Sequence, residues 1–316
     1  MVLNLHQEVR ANKSKSNLII ILFFLFIGFL GIIIGSVFSY YYTGLFDLIY
    51  LSYGFFISIV VALIYLLIFM SNGDKMILQS TGAKEASRKN YPYLYHTTEA
   101  LSIAAGMSKP PKCYVIDSPA LNAYATGFKP ENSYVVVTTG LLKKLNRQEI
   151  EGVLAHEISH IKNQDIKVML LAAGLVGVTV LISHIMFRAF IFAPHGGGGK
   201  KGGGIFIVVA IIGFIILILS PLVAQMIKMA ISRRREYLAD SSGALLTRYP
   251  EGLASALEKI KNDKGELKNS NGATAHLFIS NPLKNNLSNP FSGLFSTHPP
   301  IDDRINILRG KNKSKQ

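Results

Sequence analysis

The sequence predicts an α-helical integral membrane protein that carries a small α+β domain in the cytoplasm. Of its 316 residues, 49% are hydrophobic and only 16% are charged, whereas about 25% are charged in a typical soluble domain. Several uncharged runs reach the length of about 20 residues that a helix needs to cross a bilayer. Four such runs predict about four transmembrane helices in two hairpins, and the polar segments between them predict the folded domain.

The basic residues set the orientation of the first hairpin, residues 18–70. Two uncharged runs predict helices at about 18–40 and 48–70, and the link between them contains no Lys or Arg. Residues 1–17 contain three basic residues, and more follow the hairpin: Lys75, Lys84, Arg88 and Lys89. The positive-inside rule then places both ends of the hairpin in the cytoplasm. We therefore attribute the net charge of +14 to membrane topology and expect no nucleic-acid partner.

Residues 71–167 read as the first part of the cytoplasmic domain. A helix is predicted over 91–107, since Pro110 and Pro111 would end it, and short strands are predicted at 113–116, 123–126 and 134–138. Cys113 is the only cysteine, so no intramolecular disulfide and no multi-thiolate zinc site can form.

A second hairpin is predicted over residues 168–227. It consists of two uncharged runs, at 168–187 and 202–227, that are joined by a glycine-rich tip. This tip has no Walker pattern, so we expect a flexible connector and no phosphate site. The hairpin returns the chain to the cytoplasm, where residues 228–316 form the second part of the domain.

The chemistry of the chain is concentrated in the motif His-Glu-Ile-Ser-His at residues 156–160. A helix is predicted there, because Asn146 and Glu149 form a capping box and apolar residues recur at helical spacing. His156 and His160 then lie one turn apart and can bind one metal ion through two imidazoles. Glu157 would lie beside the metal, where it can accept a proton from water. The plainer alternative is a surface helix that happens to carry two histidines.

A third ligand is predicted directly after the fourth apolar run. Glu236 and Asp240 lie four residues apart, on one face of a helix. Two histidines and one carboxylate form a catalytic zinc set that leaves the fourth position for water, so one Zn²⁺ per chain is expected. Asp240 would then hold the outer nitrogen of a ligand histidine. Alternatively, the two carboxylates are solvated and balance the arginines at 233–235; the upstream motif favours the metal site.

These paired motifs resemble the HtpX family of membrane-bound zinc metalloproteases. Similar stretches are Asn12-Lys13-Ser14-Lys15-Ser16, Leu121 to Gly127, and His298-Pro299-Pro300 with Arg304. The resemblance covers nearly the whole chain. It implies a zincin-like cytoplasmic domain and an endopeptidase of the bacterial or archaeal cell membrane. It also implies a role in stress response and quality control, with unfolded polypeptides and membrane proteins as substrates.

The resemblance also implies a role for individual residues. His156, His160 and Glu236 match the zinc ligands, and Glu157 matches the catalytic base. Asp240 matches a carboxylate that supports a ligand, and His298 matches an oxyanion donor that Arg304 supports. The edge strand along which substrate is expected to lie matches Asn122, Ala123, Tyr124 and Ala125 with Thr126.

The sequence disfavours three alternative functions. An intramembrane protease is disfavoured because Lys162, Asp165 and Lys167 follow the motif closely, and charge at membrane depth is costly. A non-catalytic zinc-binding scaffold or regulator is disfavoured by Glu157, which metal binding alone does not need. A CAAX-type processing protease is disfavoured because the related prenyl proteases have more spans than the four predicted here.

Two smaller predictions concern residues beside the motifs. Gly152, one turn before His156, is predicted to leave room for substrate over the metal. The arginines at 233–235 are predicted to act as a cytoplasmic anchor at the end of the fourth span.

Overall fold

A computed structural model describes residues 5–171, 173–174, 233–265, 267, 274–280, 282 and 299–311. Most of the predicted second hairpin and His298 lie outside the described residues. The chain divides into two compact units. One comprises residues 1–15, 72–173 and 227–316, and the other comprises residues 16–71 and 174–226.

Two long apolar helices account for the first predicted hairpin. Helix α1 spans Leu5–Thr43 and helix α2 spans Leu48–Ser80. Both contain a segment long and apolar enough to cross a membrane, Ile20–Tyr40 in α1 and Leu48–Ser80 in α2. Large apolar side chains are exposed along both helices, among them Leu25, Phe56 and Ile57 at 63–64% exposure. Such exposure suits a helix surrounded by lipid.

Small residues allow the two helices to approach each other closely. A methyl group on Gly31 would collide with the backbone of Gly54, and one on Gly35 would collide with the backbone of Tyr50. Close backbone approach through glycine is typical of helices packed within a membrane, where dispersion contacts replace the hydrophobic effect.

A four-stranded mixed sheet forms the β part of the other unit. Its strands are β1 Lys84–Glu85, β2 Lys112–Ile116, β3 Ala123–Lys129 and β4 Asn132–Thr138. Their order is β1-β2-β4-β3, with β2 parallel to β4 and the other two pairings antiparallel. The three strands predicted from sequence are confirmed, and β3 lies at one edge of the sheet.

Helices pack around this sheet. The helix predicted over 91–107 is observed as α3, and residues 165–171 are also helical. The labelled helices are α3 Pro92–Ala104, α4 Thr139–Lys144, α5 Arg147–Lys162, α6 Arg233–Thr247, α7 Pro250–Asn262 and α8 Ile301–Leu308.

Helix α5 is the central helix of this unit. Its N-terminus carries the predicted capping box, in which Asn146 accepts from the Glu149 amide and Glu149 accepts from the Asn146 amide. Twelve of its sixteen residues are buried, including His156 and His160. A solvated surface helix that carries two histidines by chance is therefore excluded.

Two glycines bring neighbouring helices close to α5. A methyl group on Gly152 would lie 2.6 Å from the Leu253 amide nitrogen of α7, and one on Gly243 of α6 would lie 2.9 Å from the His156 amide nitrogen. The prediction that Gly152 leaves room for substrate is wrong, because the missing side chain faces the backbone of α7. Gly152 serves helix packing.

Candidate metal centre

The three predicted ligands meet at one point inside this unit. His156 and His160 come from α5 and Glu236 from the first turn of α6, and all three are at least 95% buried. The two Nε2 atoms lie 3.2 Å apart. The Glu236 carboxylate oxygens lie 3.6 Å from Nε2 of His160 and 3.9 Å from Nε2 of His156.

These distances fit a tetrahedral zinc ion. Zn–N and Zn–O bonds of about 2.0–2.2 Å imply ligand atoms roughly 3.3–3.5 Å apart at tetrahedral angles. The candidate ligand atoms of His156, His160 and Glu236 all lie within 4.8 Å of one another. Small side-chain adjustments would bring all three atoms to bonding distance.

A carboxylate lies beside the Nδ1 atom of each imidazole, on the side of the ring opposite Nε2. Nδ1 of His156 lies 2.9 Å from Oδ1 of Asp240, and Nδ1 of His160 lies 3.0 Å from Oδ2 of Asp165. A carboxylate at this position favours the tautomer with the proton on Nδ1. When both rings are neutral, the two Nε2 atoms point lone pairs at each other, and a cation between them relieves this repulsion.

Two buried arginines support the carboxylates. Arg304, from α8, donates to both oxygens of Asp240 over 2.7 and 2.8 Å, and its Nη1 lies 3.6 Å from Glu236. Nε of Arg235 lies 4.0 Å from Oδ1 of Asp165. Arg304, which the resemblance pairs with His298, thus binds Asp240, and its support of His298 stays a prediction. The sequence analysis did not identify Asp165 and Arg235 as part of the site.

The predicted anchor role fails for one of its three residues. Arg233 and Arg234 are exposed, as an anchor requires, but Arg235 is only 3% exposed and faces the metal centre. Arginine is rarely buried without a partner. Arg235 and the ligand Glu236 are both buried at the start of α6.

The charges around the centre favour a divalent cation. Six charged side chains are buried there, the carboxylates Glu157, Asp165, Glu236 and Asp240 and the guanidinium groups Arg235 and Arg304. Four negative and two positive charges leave two negative charges in excess when both imidazoles are neutral. Burying unbalanced charge is very costly, and one Zn²⁺ ion would balance it.

Glu157 has the position expected for the base. It is 2% exposed and follows the ligand His156 directly on α5. Burial raises the pKa of Glu157 to about 7, although the nearby His160 and Arg304 and a hydrogen bond from the Ala125 amide oppose the rise. The Ala125 contact also shows that the edge strand β3 runs beside the base.

The pKa values of the neighbouring groups are shifted in different directions. Burial lowers the pKa of His156 to about 4, despite the opposing effect of Asp240. Burial also acts to lower the pKa of His160, but Asp165 and Glu236 together outweigh it and raise that pKa. Burial would raise the pKa of Asp240, yet the adjacent Arg304 and His156 hold it at about 2. Asp240 therefore stays ionised beside Nδ1 of His156.

A segment after α7 covers the first part of the edge strand. The amide of Ile279 donates to the carbonyl of Ala123 over 2.9 Å, and Asn122 donates to the carbonyl of Ser280 over 2.9 Å. The Tyr124 ring packs edge-on against Phe278. Of the four predicted edge residues, Asn122, Ala123 and Tyr124 thus already bind this segment, and Ala125 faces Glu157.

Comparison with known proteins places the chain in a family. The model of peptidase family M48 matches residues 88–312. A protein named protease HtpX homolog from Dictyoglomus turgidum is 42% identical over 304 residues, which cover 96% of this chain and 94% of that protein. Another of the same name, from Listeria monocytogenes, is 40% identical over 313 residues, which cover 96% and 99% of the two chains.

A solved structure is also similar, the crystal structure of S. mikatae Ste24p. It has a TM-score of 0.48 and 21% identity, and the match covers 95% of this chain and 66% of that one. This chain therefore spans just under two thirds of the length of that structure.

Proposed function

This chain belongs to peptidase family M48 and is a membrane metalloprotease that uses zinc, and we propose that it is an endopeptidase acting on misfolded or damaged membrane proteins at the cytoplasmic face. The observation that carries the chemical part of the proposal is the convergence of His156, His160 and Glu236 beside the buried Glu157. Metal binding alone needs the first three residues, whereas hydrolysis also needs a base.

We propose separate roles for the residues of the centre. His156, His160 and Glu236 would hold zinc, which as a Lewis acid would lower the pKa of water and polarise the scissile carbonyl group. Glu157 accepts the proton of the attacking water and passes it to the leaving amine. Asp240 and Arg304 hold His156 in the orientation that the ligand set needs. The role of His298 as an oxyanion donor stays a prediction, because it lies outside the described residues.

The proposed substrate lies along the outer side of β3. In an antiparallel pair, alternate residues direct their backbone groups away from the partner strand. On β3 the outward groups include the carbonyl of Ala123, already bound by Ile279, and the amide of Ala125 beside Glu157. We propose that substrate adds a strand from Ala125 onward, because backbone pairing there would bring a peptide past the base.

The proposed topology follows from the charge pattern. We propose four spans in two hairpins with the catalytic domain in the cytoplasm, so that the enzyme reaches membrane proteins from the inner face. The arginine-free and lysine-free link between α1 and α2 supports this orientation, as do the basic residues on both sides of the hairpin.

Casein cleavage by the full-length protein in detergent tests the enzymatic proposal. We expect cleavage that a chelator abolishes and added zinc restores. Glu157→Gln should bind one zinc per chain and cleave nothing, because the amide cannot accept the proton. Glu151→Gln is the matched control, since Glu151 lies on the same helix but bonds Tyr93, and it should keep full activity. Cleavage by the Glu157→Gln protein would refute the role of this base.

Orientation is tested separately in inverted and right-side-out vesicles. A protease-sensitive tag at the C-terminus should be removed only in inverted vesicles. Removal only in right-side-out vesicles would refute the cytoplasmic location without affecting the chemistry.

A further inference from the structure

The second ligand histidine has a supporting carboxylate that belongs to neither motif. Asp165 comes five residues after His160, beyond the end of α5, yet its Oδ2 lies 3.0 Å from Nδ1 of His160. A left-handed residue, Gln164 with φ 57°, turns the chain at this point. Such a conformation costs a non-glycine residue about 1 kcal/mol or more. Asp165 itself is 1% exposed.

A buried arginine lies behind this carboxylate. Nε of Arg235 is 4.0 Å from Oδ1 of Asp165, and both side chains are at most 4% exposed. The arginine immediately precedes the ligand Glu236 on α6. The ion pair therefore joins the part of the chain that follows α5 to the first turn of α6, at the place where the two helices supply their ligands.

The arrangement repeats what is found behind the other histidine. His156 is followed by Asp240 and then by Arg304, whereas His160 is followed by Asp165 and then by Arg235. In both, an imidazole, a carboxylate and a guanidinium group form a buried series, and Arg304 also lies close to the ligand Glu236. The charge of each carboxylate is stabilised by its arginine, since an unpaired buried carboxylate would be very costly.

We infer that Asp165 and Arg235 are a positioning pair for the zinc ligand His160. Asp165 fixes the tautomer and the ring orientation of this histidine, and Arg235 holds Asp165 in place. The inference rests on the zinc site of the proposed function, and it assigns to Arg235 a purpose that the exposed Arg233 and Arg234 do not share.

Zinc affinity tests the pair directly. Chelator competition on the full-length protein in detergent should show a dissociation constant about 10–100-fold higher for Asp165→Asn, as for other carboxylates that support a ligand histidine. Arg235→Gln should act in the same direction, by about tenfold. The matched controls are Arg233→Gln, in the same arginine run, and Asp302→Asn, which removes the carboxylate of an exposed ion pair with Lys261. Both controls should bind zinc as the wild type does.

The double variant tests whether the two residues act together. Asp165→Asn combined with Arg235→Gln should bind zinc about as weakly as Asp165→Asn alone, since the arginine acts through the carboxylate. Losses that multiply in the double variant would overturn the pairing. An Asp165→Asn protein with the zinc affinity of the wild type would overturn the whole inference.

A spectroscopic measurement separates positioning from general loss of stability. The visible absorption of the Co²⁺-substituted protein reports the geometry and the donor strength of the ligands. It should change in Asp165→Asn and Arg235→Gln but not in Leu257→Ala, which opens a cavity in α7 at a fully buried position. Arg235→Lys keeps the charge and should therefore retain most of the zinc affinity. A positioning role would be refuted if the Co²⁺ spectrum changed as much in Leu257→Ala as in Asp165→Asn. Because zinc binding is measured instead of cleavage, a wild type that binds zinc but cleaves nothing would refute the proposed function alone.

Discussion

The spacing between α5 and α6 sets the geometry of the metal centre, and a single methyl group tests it. In Gly243→Ala the new Cβ would lie 2.9 Å from the amide nitrogen of His156 and 3.2 Å from its Cα. Ordinary contacts between such atoms are about 3.5 Å or longer, so the helices must separate by roughly 0.5 Å. Both obstructing atoms are backbone, so no side chain can rotate away.

This displacement acts on the ligands themselves. Helix α6 carries Glu236 and Asp240, and α5 carries both histidines. Metal–ligand distances are held to within about 0.2 Å, so a shift of roughly 0.5 Å is large. We expect the dissociation constant for zinc to rise by about tenfold or more, and the free energy of unfolding to fall by about 1–3 kcal/mol from overpacking.

Gly152→Ala is the matched control for this variant. Its Cβ would lie 2.6 Å from the Leu253 amide nitrogen, so it separates α5 from α7, which carries none of the ligands. It should lose at least as much stability as Gly243→Ala while keeping its zinc affinity. Chelator competition and denaturant unfolding of both proteins measure the two quantities. The reasoning would be refuted if both variants bound zinc as the wild type does, or if both lost the same amount of zinc affinity.

Two further predictions concern the buried charges and the single thiol. Arg304→Met leaves Asp240 buried without its two strongest hydrogen bonds, so unfolding in denaturant should show a loss of about 3–5 kcal/mol. Arg309→Met removes a surface ion pair with Glu251 and should lose far less stability, because exposed ion pairs are screened by solvent. Similar losses in the two variants would contradict this account. Burial raises the pKa of Cys113, which is 1% exposed, so an aromatic disulfide reagent should label it only as the domain unfolds; rapid labelling of the native protein would show that β2 is less protected than described.

The sequence predicted those parts of the site that local periodicity encodes. The motif histidines and the capping box lie within one helix, and Glu236 and Asp240 are one turn apart on another, so helical spacing was sufficient to place them. Asp165 escaped this reasoning because it lies after the end of α5 and reaches His160 only through the left-handed turn at Gln164. No periodic pattern describes such a turn.

Two other residues were misjudged because their neighbours come from distant parts of the chain. Gly152 faces α7, so its role depends on where that helix packs, and nothing next to it in sequence indicates this. Arg235 stands in a run of three arginines whose composition suggests a membrane anchor. Only the burial of one face of α6 separates Arg235 from the exposed Arg233. The hydrogen bond from Ile279 to Ala123 could likewise not be predicted, since a single backbone hydrogen bond leaves no sequence pattern.

The distribution of buried charge explains why fold and metal site depend on each other. Among the described residues, the buried acidic or basic side chains outside the centre are only His276 and Glu149, the latter at the start of α5. The same helix therefore supplies the apolar core of the unit and the most polar point within it. Without a cation, the excess of negative charge must be met by protonation, which is consistent with the raised pKa of Glu157. Zinc would remove this cost in the folded state only, because the ligands come together only there, so its binding energy is also folding energy.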